Sequence, residues 1–592
     1  SRTTAGSDWT CSRSTMREWE SPDYEPRLPV SEKSNPLTRD IDRASAGCIV
    51  RMLQACDAQM FQEETGATYQ RLLSDRVVQT VMEVARRVEV VLKEPQGGLV
   101  VLSGCGTSGR LAFLTSGFNR ELRTRDHSSL FSYIVAGGDR SLLSSQEAPE
   151  DDANLGILSL KKACEGKTRV LFIGISCGLS APFVAGQLDF CLQHPEVYTP
   201  VLLGFNPPHQ ASDEPIPGCT FTFHSVVQRM QELVRREEAF LITPAVGPEA
   251  VSGSSRMKGG SATKILLDVI LSAAHAATFT NTPITYKYAW RCEKKPTHSL
   301  ISTIFSFSCD YEDVRGFTRG GYSELNNNEG PLTSLGSQFC IAHQDFLRFV
   351  LPTLSDQDTV LLIYTQDDVS DVVTLARRVR GKTSNLHAVH HHTDEHAAAA
   401  AQQVSVFLSF SISIHPPVGL LVHMQRELST KLLLNAVSTG AHILKGKIYQ
   451  NHMIDVQVTN SKLYRRATRL LQKLSAHPEH RCEEALLKAI HRVDELTADI
   501  SSSDVTTHAH AARDRSMVRR RHDAGGVERW RRQAVLYFLC VCVCVCVCVC
   551  AGGPSCFALP VDWLLSHGGG VSLGAGANHK GSRGSVALIT AA

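Results

Sequence analysis

The sequence predicts an α/β protein: two tandem parallel-sheet domains, a C-terminal helical cap, and a tail that reads as aberrant or disordered. Three observations predict it. Between Val100 and Asn206, short apolar runs alternate with stretches of helical periodicity, the pattern of strands joined by crossover helices. The stretch "ATKILLDVILSAAH" (262–275) aligns without gaps to "STKLLLNAVSTGAH" (429–442), an internal repeat. Between the copies, "DTVLLIYTQDDVSDVVTLARRV" (358–379) follows the strand–loop–helix plan again.

Taken in order, residues 1–40 are polar and broken by prolines and read as an extended arm. "IDRASAGCIVRMLQACDAQMFQEE" (41–64) and "YQRLLSDRVVQTVMEVARRVEVVLKE" (69–94) carry apolar residues at helical spacing. "VVLSGCGTSGRLAFL" (100–114) reads as strand, small-residue loop and helix. "LFSYIVAGG" (130–138) is a second strand, "RVLFIGISCGLSAPFVAGQLDF" (169–190) repeats the strand–loop–helix plan, and "TPVLLGFN" (199–206) is another buried strand. The expected boundaries are N-terminal helices over 41–87, a first α/β domain over 88–284, and a second, degenerate and truncated one over 294–447. A helical cap over 448–502 and the tail over 503–592 complete the chain.

Composition excludes several classes. With 592 residues, 43% hydrophobic and 20% charged, and a net charge of +2, the chain has an ordinary globular balance and no pull toward nucleic acid. The opening residues show no secretory apolar stretch, and the cysteines of the body form no C-x-x-C pair, which suits a reducing intracellular compartment. The run "CVCVCVCVCVC" (540–550) mimics a membrane span, but its strict alternation is what a translated TG-dinucleotide repeat would give, so no membrane association is expected.

Two loops stand out. Gly104-Cys105-Gly106-Thr107-Ser108-Gly109 matches G-x-G-x-x-G, and Gly174-Ile175-Ser176-Cys177-Gly178 matches G-x-S-x-G. A dinucleotide site expects an acid at the end of the next strand, and Asp139 comes late, after two glycines. A hydrolase needs one elbow with a matched acid and histidine, and no second motif singles out a histidine. Two hydroxyl-bearing loops on successive units fit a phosphate better, with backbone N–H groups at a helix start as further donors. "QEAPEDD" (146–152) places carboxylates before a helix, either as caps or as acceptors for sugar hydroxyls. "GSSRMKGGSATK" (253–264) offers Arg256, Lys258 and Lys264 to a phosphate without Walker A spacing. "HHHTDEH" (390–396) is a candidate metal ligand set, weighed against incidental clustering.

The segments "EKSNPLTRDID", "SGCGTSGRLAF", "IVAGGDR", "EAPED", "GISCGLSAPFVAG", "GSSRMKGGSATKILL" and "KGKIYQNHMIDVQVTNSKL" occur in this order. Together they resemble the glucokinase regulatory protein family, tandem SIS (sugar isomerase) proteins of flavodoxin-like fold related to bacterial N-acetylmuramic acid 6-phosphate etherases. The resemblance implies a non-catalytic protein of nucleus and cytoplasm that binds and inhibits glucokinase. Fructose 6-phosphate would promote that complex and fructose 1-phosphate relieve it, with no cofactor. It places the sugar phosphate on Thr107, Ser108, Glu150, Ser176, Cys177 and Gly178, with Lys462 reaching in from the cap and Ser180 and Arg256 as neighbours. The related etherases carry an acid shortly after T-S-G-R; here "LAFLTSGFN" (111–119) has none, and general acid–base chemistry needs a titratable group at the reacting atom. A sugar-phosphate enzyme of etherase type is the alternative.

The chain departs from the family between His275 and Asp310, where a helix, a central strand and a site glutamate have no counterpart, and near "SISIHPPVGLLVHMQREL" (411–428), where Pro416-Pro417-Val418 stands in place of an apolar stretch needed for glucokinase. The second sheet is therefore expected to be incomplete. Its own loop, "TQDDVSD" (365–371), carries Asp367 and Asp368, which would repel a phosphate.

Overall fold

The computed structural model describes residues 15, 17–63, 69–119, 122, 129–284, 314–356, 358–365, 369–393, 408–414, 420–444, 446–514 and 586–590. Two helices, α1 (Ala46–Ala58) and α2 (Asp75–Lys93), precede the first sheet. α2 buries Val77, Val81, Val84, Val88 and Val91, a stripe at helical spacing, and has Asp75 in its first turn and Lys93 in its last, both suited to the helix dipole. Then come β1 (Gly98–Gly104), α3 (Gly106–Ser116), β2 (Phe131–Val135), α4 (Ala153–Ala163), β3 (Arg169–Ile175), α5 (Pro182–Gln193), β4 (Tyr198–Leu203), α6 (Phe223–Val234), β5 (Phe240–Ile242) and α7 (Lys258–Phe279).

The five strands lie in the order β2-β1-β3-β4-β5, all parallel. This is the flavodoxin-like order, whose direction reverses between β1 and β3. Side chains alternate across the sheet: Val100 and Leu102 enter a core with α2 and α7, whereas Leu99 and Val101 enter the opposite core with α4, α5 and α6. Helices on both faces explain why these strands read as continuous apolar runs.

The second domain contains β6 (Val314–Thr318), β7 (Thr359–Thr365), α8 (Val369–Arg380), β8 (Leu386–Thr393), β9 (Leu408–Ile414) and α9 (Leu420–Leu444). No described strand comes from residues 276–313. The place between β6 and β7 is taken instead by β12 (Val586–Thr590) from the tail, parallel to both, giving the order β6-β12-β7-β8-β9. Two adjacent strand edges must find backbone partners, and this segment supplies them. The Cys-Val run, Pro416-Pro417-Val418, and Asp367 and Asp368 lie outside the described residues.

The cap begins with a hairpin of β10 (Ile448–Tyr449) and β11 (His452–Met453), followed by α10 (Ser461–Ser475), α11 (Glu479–His491) and α12 (Val505–Asp514). Tyr464, Leu471, Leu486, Leu487, Ile490 and Ala512 form its core, so the helical region continues past residue 502. The N-terminal segment departs from the extended arm read from its prolines and polar residues. From Glu18 to Arg43 it forms successive single turns, and Trp19, Ser31, Ser34, Asn35, Leu37 and Thr38 are buried. Its asparagine is matched: Asn35 Nδ2 donates to Gln59 Oε1 (2.8 Å) and the Pro248 carbonyl (2.7 Å), and Asn451 Nδ2 donates to the Asn35 carbonyl (2.9 Å). Polar sequence here marks a satisfied buried strap rather than a solvated arm.

The start of α7 is sealed by Glu249, whose carboxylate accepts from the amides of Lys258 and Gly259, both at 2.8 Å. Burial pushes the Glu249 carboxyl up to about 7, against the pull of these amides and of Lys258 and Lys431. Between the ordinary value of 4.5 and about 7 the folded chain holds a proton that the unfolded chain releases, so this contribution to stability falls as pH rises through that window. Urea unfolding of Glu249→Gln should show a shallower decline between about pH 5 and pH 7, by up to about 3 kcal/mol over the window; an unchanged slope would refute the assignment.

Candidate functional site

Where the crossovers from β1 and β3 leave in opposite directions, the loops at the strands' C-terminal ends face each other across a crevice, the usual ligand position in open α/β sheets. Cys105 leads into α3 with no side-chain cap, and Gly106 adopts a left-handed φ of 49°, which turns the loop sharply into the helix. Thr107 and Ser108 thus occupy its first turn. On the neighbouring loop, Cys177 Sγ lies 3.6 Å from Ser108 Oγ and 3.9 Å from Thr263 Oγ1.

A cavity of about 1050 Å³ opens in front of these residues. Its wall includes Thr107, Ser108, Glu150, Arg256 and Lys462, five of the residues read from the sequence, together with Glu147, Asp151, His442 and Lys447. Lys462, in the first turn of α10, bridges the cap to the first domain: its Nζ donates to Glu150 Oε1 at 2.7 Å and Oε2 at 3.0 Å. Asp151 Oδ2 accepts from the Ser461 amide at 2.7 Å, and Asn460 caps α10 by accepting from Leu463 N. Burial works against the Lys462 charge, but the carboxylates of Glu150 and Glu147 outweigh it and hold its pKa above the ordinary lysine value.

Ser176, Cys177, Gly178 and Ser180 stand beside the cavity rather than in its wall. The Ser176 hydroxyl accepts from the amides of Ser180 (3.2 Å) and Ala181 (3.4 Å), and the Gly178 carbonyl accepts from Asn206 Nδ2 (2.9 Å). The loop turns through Leu179 at a left-handed φ of 53°, and these bonds hold that turn. Ser176 is an internal cap, not an exposed elbow nucleophile.

The basic segment divides. Arg256 lines the cavity. Lys258 is buried and donates to Gln59 Oε1 (2.7 Å) and the Pro248 carbonyl (2.8 Å), so it is turned away from a phosphate. Lys264 is likewise buried, pairing with Asp268 (2.7 Å) and Glu427 (2.5 Å). Asp139, the acid a dinucleotide would need, accepts from Tyr133 Oη (2.6 Å), Asn327 Nδ2 (2.8 Å) and Glu329 N (2.6 Å), and so joins the two domains instead. His390 and His391 are buried in β8, with His391 Nε2 at 3.0 Å from Thr430 Oγ1; residues 394–396 of that cluster lie outside the described residues.

Comparison with known proteins agrees with this division of the chain. Family models match at residues 83–192 (glucokinase regulatory protein N-terminal SIS domain), 299–445 (its second SIS domain) and 450–519 (its C-terminal lid domain). The glucokinase regulatory protein of Xenopus laevis is 43% identical over 553 residues, covering 85% of this chain and 89% of that one. The chain belongs to the glucokinase regulatory protein family. The rat member is 44% identical over 555 residues, covering 85% of this chain and 88% of its own length. An N-acetylmuramic acid 6-phosphate etherase of Vibrio cholerae is 29% identical over 246 residues, covering 41% of this chain and 67% of that enzyme. The family's lid model extends over α12, which brings Thr506, Thr507 and His510 to the cavity wall. Sequence reasoning missed these three because the cap was ended at residue 502.

The Lys462–Glu150 pair has one partly exposed partner and one buried one, with side-chain exposures of 32% and 8%. Lys462→Met should cost about 2 kcal/mol by leaving a buried carboxylate unpaired, and adding Glu150→Gln should restore most of it. A double-mutant cycle in denaturant would measure this; additive losses would show that the pair is not coupled.

Proposed function

We propose that this chain is a non-catalytic regulator that binds and inhibits glucokinase, with fructose 6-phosphate promoting and fructose 1-phosphate relieving the complex in nucleus and cytoplasm. The observation that carries the reading is the Lys462–Glu150 bridge in the cavity wall, because it puts lid and first domain on the same site. The Thr107 and Ser108 hydroxyls and the amides of Gly106 and Thr107 would take the phosphate, Lys462 and Arg256 would add charge, and Glu150 would accept from sugar hydroxyls. A phosphate competing with Glu150 for the Lys462 ammonium shifts the lid's anchor, which couples occupancy to the shape of the partner surface.

The non-catalytic part rests on the carboxylates. Helix α3 carries no acid after its Thr-Ser pair, Glu150 is held by Lys462, and Asp151 and Asp152 accept from the amides of Ser461 and Leu155. These acids are spent on holding the fold rather than on moving protons. Titrating the chain calorimetrically with fructose 1-phosphate should give saturable binding, weakened about tenfold or more by Ser108→Ala and by Lys462→Ala. Glucokinase assays with added chain should show inhibition that fructose 1-phosphate reverses. Absence of binding and inhibition would overturn the reading, and turnover of N-acetylmuramic acid 6-phosphate would establish the enzyme alternative.

A further inference from the structure

The internal repeat forms a reciprocal contact. Helices α7 and α9 pack against each other, and each sends the lysine of its repeat into the other: Lys264 pairs with Glu427 of α9, and Lys431 reaches the start of α7. In the gapless alignment Lys264 matches Lys431 and Asp268 matches Asn435, and the same register carried two residues upstream sets Gly260 against Glu427. Both carboxylates that neutralise Lys264 are therefore replaced around its counterpart. Lys431 Nζ donates only to neutral acceptors in its hydrogen bonds, the carbonyls of Arg256 (3.0 Å) and Met257 (3.1 Å) and Ser261 Oγ (3.1 Å). Among the described residues, no carboxylate forms an ion pair with it. A buried charge left in this way is costly unless something offsets it.

The position of that charge suggests what does. A Cβ placed on Gly260 would lie 3.1 Å from Lys431 Nζ and 3.4 Å from Thr107 Cγ2, so the lysine and the first turn of α3 meet at the same glycine. The Arg256 carbonyl it holds belongs to the segment that presents Arg256 to the cavity. We propose that Lys431, donated by the second domain, is a positioning residue of the first domain's anion site: it fixes the Arg256 turn beside Thr107 and supplies a positive charge there that is completed by the phosphate of a sugar phosphate. This rests on the sugar-phosphate reading above and adds that the second domain is part of the site. It also accounts for the absence of a side chain at residue 260, where a carboxylate like that of Glu427 would neutralise the lysine.

Burial lowers the Lys431 ammonium to about 8, against the pull of Asp57 on α1, Glu249 before α7 and Cys177 on the β3 loop, with Arg256 adding repulsion. Glu249, at about 7, is already ionised above neutrality. Burial also lowers the ammonium of Lys258, which is held by Gln59 and the Pro248 carbonyl, so Lys431→Arg is the variant that assigns a decline above pH 8 to Lys431; a sugar phosphate is dianionic throughout that range.

The test uses the full chain, fructose 1-phosphate calorimetry from pH 7 to 9, and a thermal melt of each variant. Lys431→Gln, which keeps hydrogen-bonding capacity but loses the charge, should bind about tenfold more weakly at pH 7. Lys431→Arg should bind within about threefold of the unmodified chain and should lose the decline above pH 8. Glu427→Gln, which disturbs the reciprocal contact on the other side, should leave affinity unchanged. Wild-type affinity in Lys431→Gln, or the same weakening in Glu427→Gln, would overturn the inference. No binding by the unmodified chain would instead overturn the sugar-phosphate reading on which it rests.

Discussion

The divergence of the crossovers from β1 and β3 places everything that lines the cavity. Adjacent parallel strands whose crossovers leave in opposite directions cannot cover the space between their C-terminal ends. In the order β2-β1-β3-β4-β5 that gap falls between the loops bearing Thr107 and Ser176. The first turn of α3 then faces the gap with two hydroxyls and no side-chain cap; the Ser108 and Gly109 amides donate to the Cys105 carbonyl, which leaves those of Gly106 and Thr107 for an anion.

What closes the gap comes from far away in sequence. Lys462 and Ser461 attach α10 to Glu150 and Asp151, and Arg466 and Arg469 of the same helix attach it to Glu32 of the N-terminal strap. Burial opposes the Glu32 charge, but Arg466 and Arg469 outweigh it and hold its carboxyl below the ordinary range. The strap in turn meets the β10–β11 hairpin through Asn35 and Asn451. The hairpin also packs apolar side chains, Ile448 and Met453, against Leu37, Ile41 and Val251, whereas at the cavity α10 is held by charge-assisted and neutral polar bonds. Such contacts can be exchanged for a charged ligand at small net cost, whereas an apolar core cannot.

The first four strands of the first sheet were legible because they are buried on both faces and their helices carry apolar stripes locally, whereas the three-residue β5 was too short to read; α2 is visible from its valines alone. Thr107, Ser108, Glu150, Arg256 and Lys462 were legible through motif resemblance, and the structure brings these five to one cavity. What misled was polarity without context. The strap looked solvated because its asparagines and serines find partners only in the folded chain, and Lys258 and Lys264 looked like phosphate ligands because their acceptors, Gln59 and Glu427, lie far away in sequence. The strand taking the vacant place in the second sheet comes from Val586–Thr590, which no local pattern connects to Val314 or Thr359.

The second domain then has a physical role that does not depend on a ligand of its own. The internal repeat leaves the helix pair α7–α9 as a shared wall, and asymmetry can develop there without changing the packing. On one side the lysine keeps two carboxylates and acts as an internal ion pair; on the other it faces a glycine, two neutral carbonyls and the Ser261 hydroxyl. The first arrangement stabilises the interface at any occupancy. The second leaves a charge whose cost falls when an anion occupies the neighbouring crevice, so the interface is tightest when the site is filled. A single domain cannot bring such a group to its own crevice from outside, and a second copy of the repeat can.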